Sequence, residues 1–335
     1  MSQVSSLLSQ HFAYASGRTG VLQQLLLTAS DKDRLLGAAD LETTEQILTE
    51  LRMTDPIDQG LLKADDILLA LSEWIKEEVE SMTPESKRPV FHILWIEESA
   101  PLLSYLLKKH FGLSSPMSTE PRSNMKTEST QQLKKLIENN KEGSLPTPLV
   151  SFVRETKKRE SLTPEIIDTL TSQHVANVHL GLAKVSKSPA IMQYVIHRID
   201  LTNIRTAMRL KSEVADLSVF VKGGTLNLRK LSGDLNGIAK AIELSELPFS
   251  LGEAVRKSAD DLSDLEVALS KVTANDIAHM WNIPMSIEPV FAFAALAESQ
   301  VALLRALVIG KRAALDPQSI KKMLPPFISA SHYVL

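Results

Sequence analysis

Apolar residues recur along this chain at helical spacing, and three long runs dominate the pattern. The central one, PAIMQYVIHRIDLTNIRTAMRLK from Pro189 to Lys211, predicts a long helix whose apolar surface is interrupted by Asp200, Asn203 and Arg205. It is followed by a turn-forming segment, VFVKGGTLNL, from Val219 to Leu228. Runs of similar character begin at Pro89 (PVFHILWIEE, continuing into Leu102–Lys109) and at Pro289 (PVFAFAALAE, continuing into Val301–Arg305). Each has an apolar first half, a carboxylate near the middle and a leucine-rich second half with a basic end, which suits a helix C-terminus. Their spacing of about one hundred residues suggests a chain built from three related helical units. Strand-like alternation is confined to Val219-Phe220-Val221, too short to seed a sheet, so the predicted fold class is all-α.

Punctuation agrees with that reading. A Ser, Thr or Asp before Pro offers a capping oxygen and a residue already at helical φ. Thr83-Pro84, Thr163-Pro164, Ser188-Pro189, Asp55-Pro56 and Asp316-Pro317 fit the pattern and predict helix starts. Two composition shifts predict boundaries: the polar, Ser/Thr/Pro-rich stretch Gly112–Gln132, read as a linker, and Ser212–Thr225, ending in Gly223-Gly224. The units are then 1–115, 116–215 and 216–335, with the linker at about 112–132.

Composition narrows the chemistry. Hydrophobic residues make up 44% of the chain and aromatic residues 5%, a balance that favours packed helices over sheets. Lys and Arg number 37 against 40 Asp and Glu, which argues against a nucleic-acid footprint over the whole surface. Cysteine is absent, which excludes disulfides, thiolate catalysis, Fe–S clusters and Cys-based zinc sites. The first residues, MSQVSS, lack a basic segment followed by an apolar core, and a cytosolic setting is expected. Pro289–Gly310 is the most apolar stretch, but Glu298, Gln300 and Arg305 in its middle predict a buried soluble helix instead of a membrane span.

The search for a reaction centre is negative. Gly223-Gly224 and Gly310-Lys311 lack the GxxxxGK[ST] context of a phosphate loop, and the glycines are expected to serve a sharp turn. His174 and His179 lie five residues apart, off a common helical face, and neither HExxH nor GxSxG occurs. Asp260, Asp261, Asp264 and Glu266 lie at a predicted helix start, and Glu73, Glu77, Glu78 and Glu80 form a solvated run. No cofactor and no metal site is expected. On the central helix, Asp200 and Asn203 share a face, and Arg198, Arg205 and Arg209 share another. Buried hydrogen bonding that holds bundle geometry is the expected role of Asp200 and Asn203, with Gly223 and Gly224 for the turn. Arg209 and Lys211, near the helix end, are the candidates for contact with a partner.

These residues together resemble the C subunit of archaeal and bacterial V/A-type ATPases, called the d subunit in the eukaryotic vacuolar enzyme. Near the N-terminus, Tyr14-Ala15, Arg18, Leu25-Leu26 and Leu41-Glu42-Thr43-Thr44 are similar to the family opening, with Gln46 where a Tyr is expected. In the middle, Asp200-Leu201-Thr202-Asn203-Ile204-Arg205 resembles its Asp-x-x-Asn-Leu-Arg helix, and Val221-Lys222-Gly223-Gly224 its Gly-Gly turn. At the end, Leu304-Arg305 and Gly310-Lys311 resemble its Asn-Leu-Arg…Gly-Lys pattern. The first unit departs at Glu98 and Pro101, and the third at Gln300 and Leu303.

The resemblance implies a funnel of three helical bundles about a pseudo-threefold axis, with no catalytic activity. It implies a place on the cytoplasmic face of the membrane, between the central shaft subunits and the proteolipid ring, with Arg205 counted among the structural residues. Two other readings stand beside it: a helical adaptor of another assembly, and a helical enzyme with a convergent polar pocket, for which Asp200 would be the residue to test.

Overall fold

A computed structural model of the chain describes residues 3–114, 127–210, 217–231, 234–258 and 262–329. Among these are fifteen α-helices, four short 3-10 helices and no strand. The helices are α1 (Gln3–Leu22), α2 (Ala29–Leu36), α3 (Leu41–Thr49), α4 (Ala64–Ser81), α5 (His92–His110), α6 (Thr127–Asn139), α7 (Thr147–Lys157) and α8 (Pro164–Ser186). They continue with α9 (Pro189–Leu210), α10 (Leu228–Leu231), α11 (Leu235–Glu243), α12 (Phe249–Lys257), α13 (Ser263–Trp281), α14 (Glu288–Arg312) and α15 (Pro317–Met323). The all-α class is therefore as expected.

Three of the five Pro-based starts are capped as the chemistry predicts. Thr163 Oγ1 accepts from the Ile166 N–H at 3.3 Å, Ser188 Oγ from the Ile191 N–H at 3.1 Å, and Asp316 Oδ1 from the Gln318 and Ser319 N–H groups at 3.0 Å each. The other two fail for local reasons. The Thr83 hydroxyl is buried and donates backwards to the Val79 carbonyl at 2.7 Å, so it closes α4 instead of opening a helix. Asp55-Pro56 falls in a turn. Pro89 itself lies inside a 3-10 helix, Glu85–Phe91, and α5 starts only at His92. The stretch expected to be linker is helical from Thr127 onward, because Leu133, Leu136 and Ile137 of α6 find an apolar core.

Contacts divide the chain into two compact units. The first comprises Met1–Phe91, Ser188–Tyr194 and Ser258–Leu335; the second comprises His92–Lys187 and Val195–Lys257.

The first unit is organised on α14. Every residue from Pro289 to Ala297 is buried, so this half of the helix is covered all round, as a helix apolar on all faces must be. It packs against α1, α3, α4, α13 and α15. Four alanines, Ala292, Ala294, Ala295 and Ala297, keep the helix surface narrow where neighbours approach. Phe91 stacks on Phe291 at 6.0 Å, Tyr194 meets the same ring edge-on at 5.4 Å, and Trp74 meets Phe293 edge-on at 6.4 Å. Among the described residues α14 alone is long and apolar enough to cross a membrane, and 67% of its apolar window is buried by the protein.

The second unit is built on the α5–α8 pair. Leu102, Leu103, Leu106 and Leu107 of α5 form one core with Leu133, Leu136 and Ile137 of α6, Val150 and Val153 of α7, and Ile167 of α8. The pair is also linked by polar contacts: Ser104 Oγ donates to Asp168 Oδ1 at 2.6 Å, and Lys108 Nζ to Asp168 Oδ2 at 2.7 Å. Pro101 interrupts α5 without ending it, which removes one N–H from the helical ladder. Helices α11 and α12 pack as a hairpin, with the Gly252 backbone close enough that an added Cβ would lie 3.1 Å from the Ala239 carbonyl.

Candidate functional site

The Gly223-Gly224 segment is tied to two helices through its backbone. Asn203, fully buried on α9, accepts from the Val221 N–H at 2.8 Å and donates to the Val221 carbonyl at 2.7 Å. One carboxamide thus replaces a peptide partner on both sides. Asp200, one turn earlier and equally buried, accepts from the Thr225 N–H at 2.9 Å, the Thr225 hydroxyl at 2.7 Å and the Leu226 N–H at 3.1 Å. Three donors around one carboxylate answer the cost of burying a charge. From α8, Gln173 accepts from the Lys222 N–H at 2.8 Å.

The two glycines are needed by this clamp for different reasons. Gly223 has φ of 115°, a conformation that L side chains avoid, and a Cβ there would meet Leu180 Cδ1 at 2.5 Å. At Gly224 an added Cβ would lie 1.9 Å from Asp200 Oδ1, inside the carboxylate itself. The loop approaches α9 this closely only because the side chain is missing.

Of the remaining residues singled out by sequence, Arg205 is half-buried and engaged, while Arg209 is exposed near the end of α9. Lys211, Asp260 and Asp261 lie outside the described residues. Asp264 and Glu266 occupy the first turn of α13. Glu78 is not free in solvent like the rest of its run: its Oε1 accepts from Arg18 Nε at 2.6 Å, and that bond raises the guanidinium pKa. His174 and His179 are both buried on α8. His174 stacks on Phe152 at 4.4 Å, and burial lowers its pKa below the ordinary histidine value.

Sequence reasoning missed the role of several side chains that repeat the same device. Gln300, which departs from the family pattern, is 1% exposed on α14. It accepts from the Leu27 N–H at 2.7 Å and donates to the Leu27 carbonyl at 3.4 Å and the Ile328 carbonyl at 3.1 Å. Its carboxamide grips a peptide unit as Asn203 does in the other unit. Further along α14, the buried Lys311 donates to the Leu36 carbonyl at 2.9 Å and to the Ala38 carbonyl, capping the end of α2. Gly310 lets α15 close on this turn, since a Cβ would meet Ile320 Cγ1 at 2.8 Å. Arg305 Nη2 donates to Ser72 Oγ at 3.0 Å. A polar residue in the middle of an apolar helical run was the available signal, but its partner is set by loops distant in sequence.

A cleft of about 550 Å³ opens within the second unit. Its walls are Ala100, Pro101 and Ser104 of α5, a face of α8 from Asp168 to His179, and Arg198, Ile199, Thr202 and Arg209 of α9, with Val221 of the clamped loop. Among the described residues, no group of three or more His, Asp or Glu side chains could hold a metal ion.

Residues 15–323 match the family described as ATP synthase (C/AC39) subunit. The C subunit of the A-type ATP synthase of Haloferax volcanii is 30% identical over 154 residues, which cover 39% of this chain and 41% of the relative. Its counterpart in Haloquadratum walsbyi is 25% identical over 191 residues, covering 54% of this chain and 50% of the relative. The chain thus spans half or less of the length of these curated relatives. Because the family match runs over nearly the whole chain, from the α1 helix to the end of α15, the chain belongs to the ATP synthase (C/AC39) subunit family.

Proposed function

We propose that this chain is a non-catalytic coupling subunit of a V/A-type rotary ATPase, joining the central shaft to the membrane proteolipid ring on its cytoplasmic face and so serving proton or sodium transport. The observation that carries the reading is the family match over residues 15–323. A second observation agrees with it: the buried polar groups of the central helix, Asp200 and Asn203, spend hydrogen bonds on the chain's own backbone. Asp200, Asn203, Arg205, Gly223 and Gly224 are assigned structural roles. Arg209 and Lys211 are assigned to partner contact.

The proposal keeps three related helical units, 1–115, 116–215 and 216–335, with the funnel arrangement that the family resemblance implies. Its support is the likeness of α5, α9 and α14: each runs between 19 and 25 residues, and each has a proline within three residues of its start, Pro89 before α5, Pro189 opening α9 and Pro289 second in α14.

Removal of the chain from the assembled ATPase is the direct test. ATP hydrolysis by the head should persist while ion pumping into sealed vesicles is lost, and adding the purified chain back should restore pumping. The shaft subunits and the proteolipid ring should each co-purify with the chain at low salt. Pumping that survives removal, or a chain that retains neither partner, would overturn the proposal.

A further inference from the structure

Helices α7 and α8 of the second unit line a smaller cavity of about 240 Å³. We propose that it binds a free α-amino acid with a polar side chain. His174 is the central observation. It lines the cavity, is 8% exposed, and its Nε2 is buried without a hydrogen-bond partner. The stack on Phe152, which lines the cavity too, holds the ring in place. On the same wall the carboxamides of Gln173 and Asn177 are turned to each other, at 3.0 Å, instead of to the imidazole. A buried ring nitrogen left without a partner costs stability, and a ligand group that reaches it recovers that cost. Burial favours the neutral ring, whose Nε2 either donates or accepts, and a ligand hydroxyl or carboxamide can answer it in either role.

The rim supplies one charge of each sign. Glu155, in the last turn of α7, and Arg159, just past its end, both line the cavity and both are exposed. They stand four residues apart, yet among the described residues neither side chain makes a hydrogen bond or an ion pair. A ligand with a single charge would be attracted by one of these groups and repelled by the other. A zwitterion answers both: its carboxylate meets the guanidinium and its ammonium meets the Glu155 carboxylate. Pro148, Phe152 and Leu170 give the aliphatic part an apolar wall. The volume of about 240 Å³ lies below the roughly 300–1,000 Å³ of sites for drug-sized ligands, which limits the occupant to a molecule the size of one amino acid. Amino-acid binding here is independent of the rotary role, and its test has no rotary component.

The full-length chain should be titrated calorimetrically with glutamine, asparagine and serine, with their N-acetyl and α-amide derivatives, and with alanine. Saturable one-to-one binding of at least one of the three polar amino acids, with a matching rise in Tm, is expected. Its N-acetyl and α-amide derivatives should each bind about tenfold more weakly or worse, because each lacks one of the two charges. Alanine should bind several-fold more weakly, because it lacks the group that reaches His174. Glu155→Ala and Arg159→Ala, both at exposed positions, should each weaken binding about tenfold while leaving the ligand-free Tm unchanged. His174→Phe should reduce the affinity for the polar amino acid to that for alanine. The inference is overturned if none of the three polar amino acids binds, or if alanine or the single-charge derivatives bind as tightly as the parent. It is equally overturned if Glu155→Ala and Arg159→Ala both bind like the wild type.

Discussion

Single residues in this protein matter through the backbone groups they satisfy. Asn203 and Asp200 together engage the Val221, Thr225 and Leu226 amides, and of these residues Val221 and Leu226 are buried, so a truncation would strand their donors away from water. Asn203→Leu should therefore cost about 2–3 kcal/mol, even though leucine stands at the corresponding place in the α14 helix, residue 303. Urea unfolding followed by circular dichroism measures this, and a loss below about 0.5 kcal/mol would mean that the loop finds other partners. Gly224→Ala attacks the same clamp from the other side. Its methyl group cannot coexist with the Asp200 carboxylate 1.9 Å away, so it should destabilise by at least as much as removing the carboxylate in Asp200→Ala. The two losses should not add, since both break one set of contacts.

At the scale of elements, α7 and α8 are joined by an aromatic stack whose stability depends on charge. His174 is buried against Phe152 and its pKa lies below the ordinary value because burial penalises the charged ring. The unfolded chain, titrating near about 6.5, then binds the proton more readily than the folded one. Stability contributed by neutral His174 is present above that pH and is lost as pH falls through the window down to the folded pKa. Unfolding free energies measured from pH 7 to pH 5 should decline in the wild type, and more shallowly in His174→Phe. Equal slopes in the two proteins would exclude the histidine as the cause. In α5, Pro101 is exposed and withholds an amide from the helical ladder. Pro101→Ala should stabilise the second unit by about 1 kcal/mol or more, readable as a shift in the urea midpoint at unchanged slope.

The whole molecule uses one device in two compact units. A buried carboxamide on a long helix grips both sides of a peptide: Asn203 grips Val221 in the second unit, and Gln300 grips Leu27 in the first. The two clamps share no hydrogen-bond partner. The destabilisations of Asn203→Leu and Gln300→Leu should therefore add to within about 0.5 kcal/mol in the double variant. A coupling energy above about 1 kcal/mol would show that the clamps act as one system.

Much of this was legible in the residues alone. Helical periodicity, the scarcity of aromatic residues and the Ser/Thr/Asp-Pro punctuation depend on local geometry and side-chain propensity, so they identify an all-α chain and its longest helices without tertiary information. Asp200, Asn203 and the glycine pair could be picked out because polar groups in an apolar helix need buried partners, and because paired glycines mark unusual backbone. Other features were decided only by the folded chain. Thr83 turns its hydroxyl back to α4, Pro89 falls into a 3-10 turn, and Thr127–Gln132 become helix once Leu133, Leu136 and Ile137 find a core. The partner of Gln300 is 273 residues away, and that of Asn203 is 18. Periodicity reports which face of a helix is buried, whereas the group that meets a buried polar atom is set by loop closure over such distances, which no local pattern encodes.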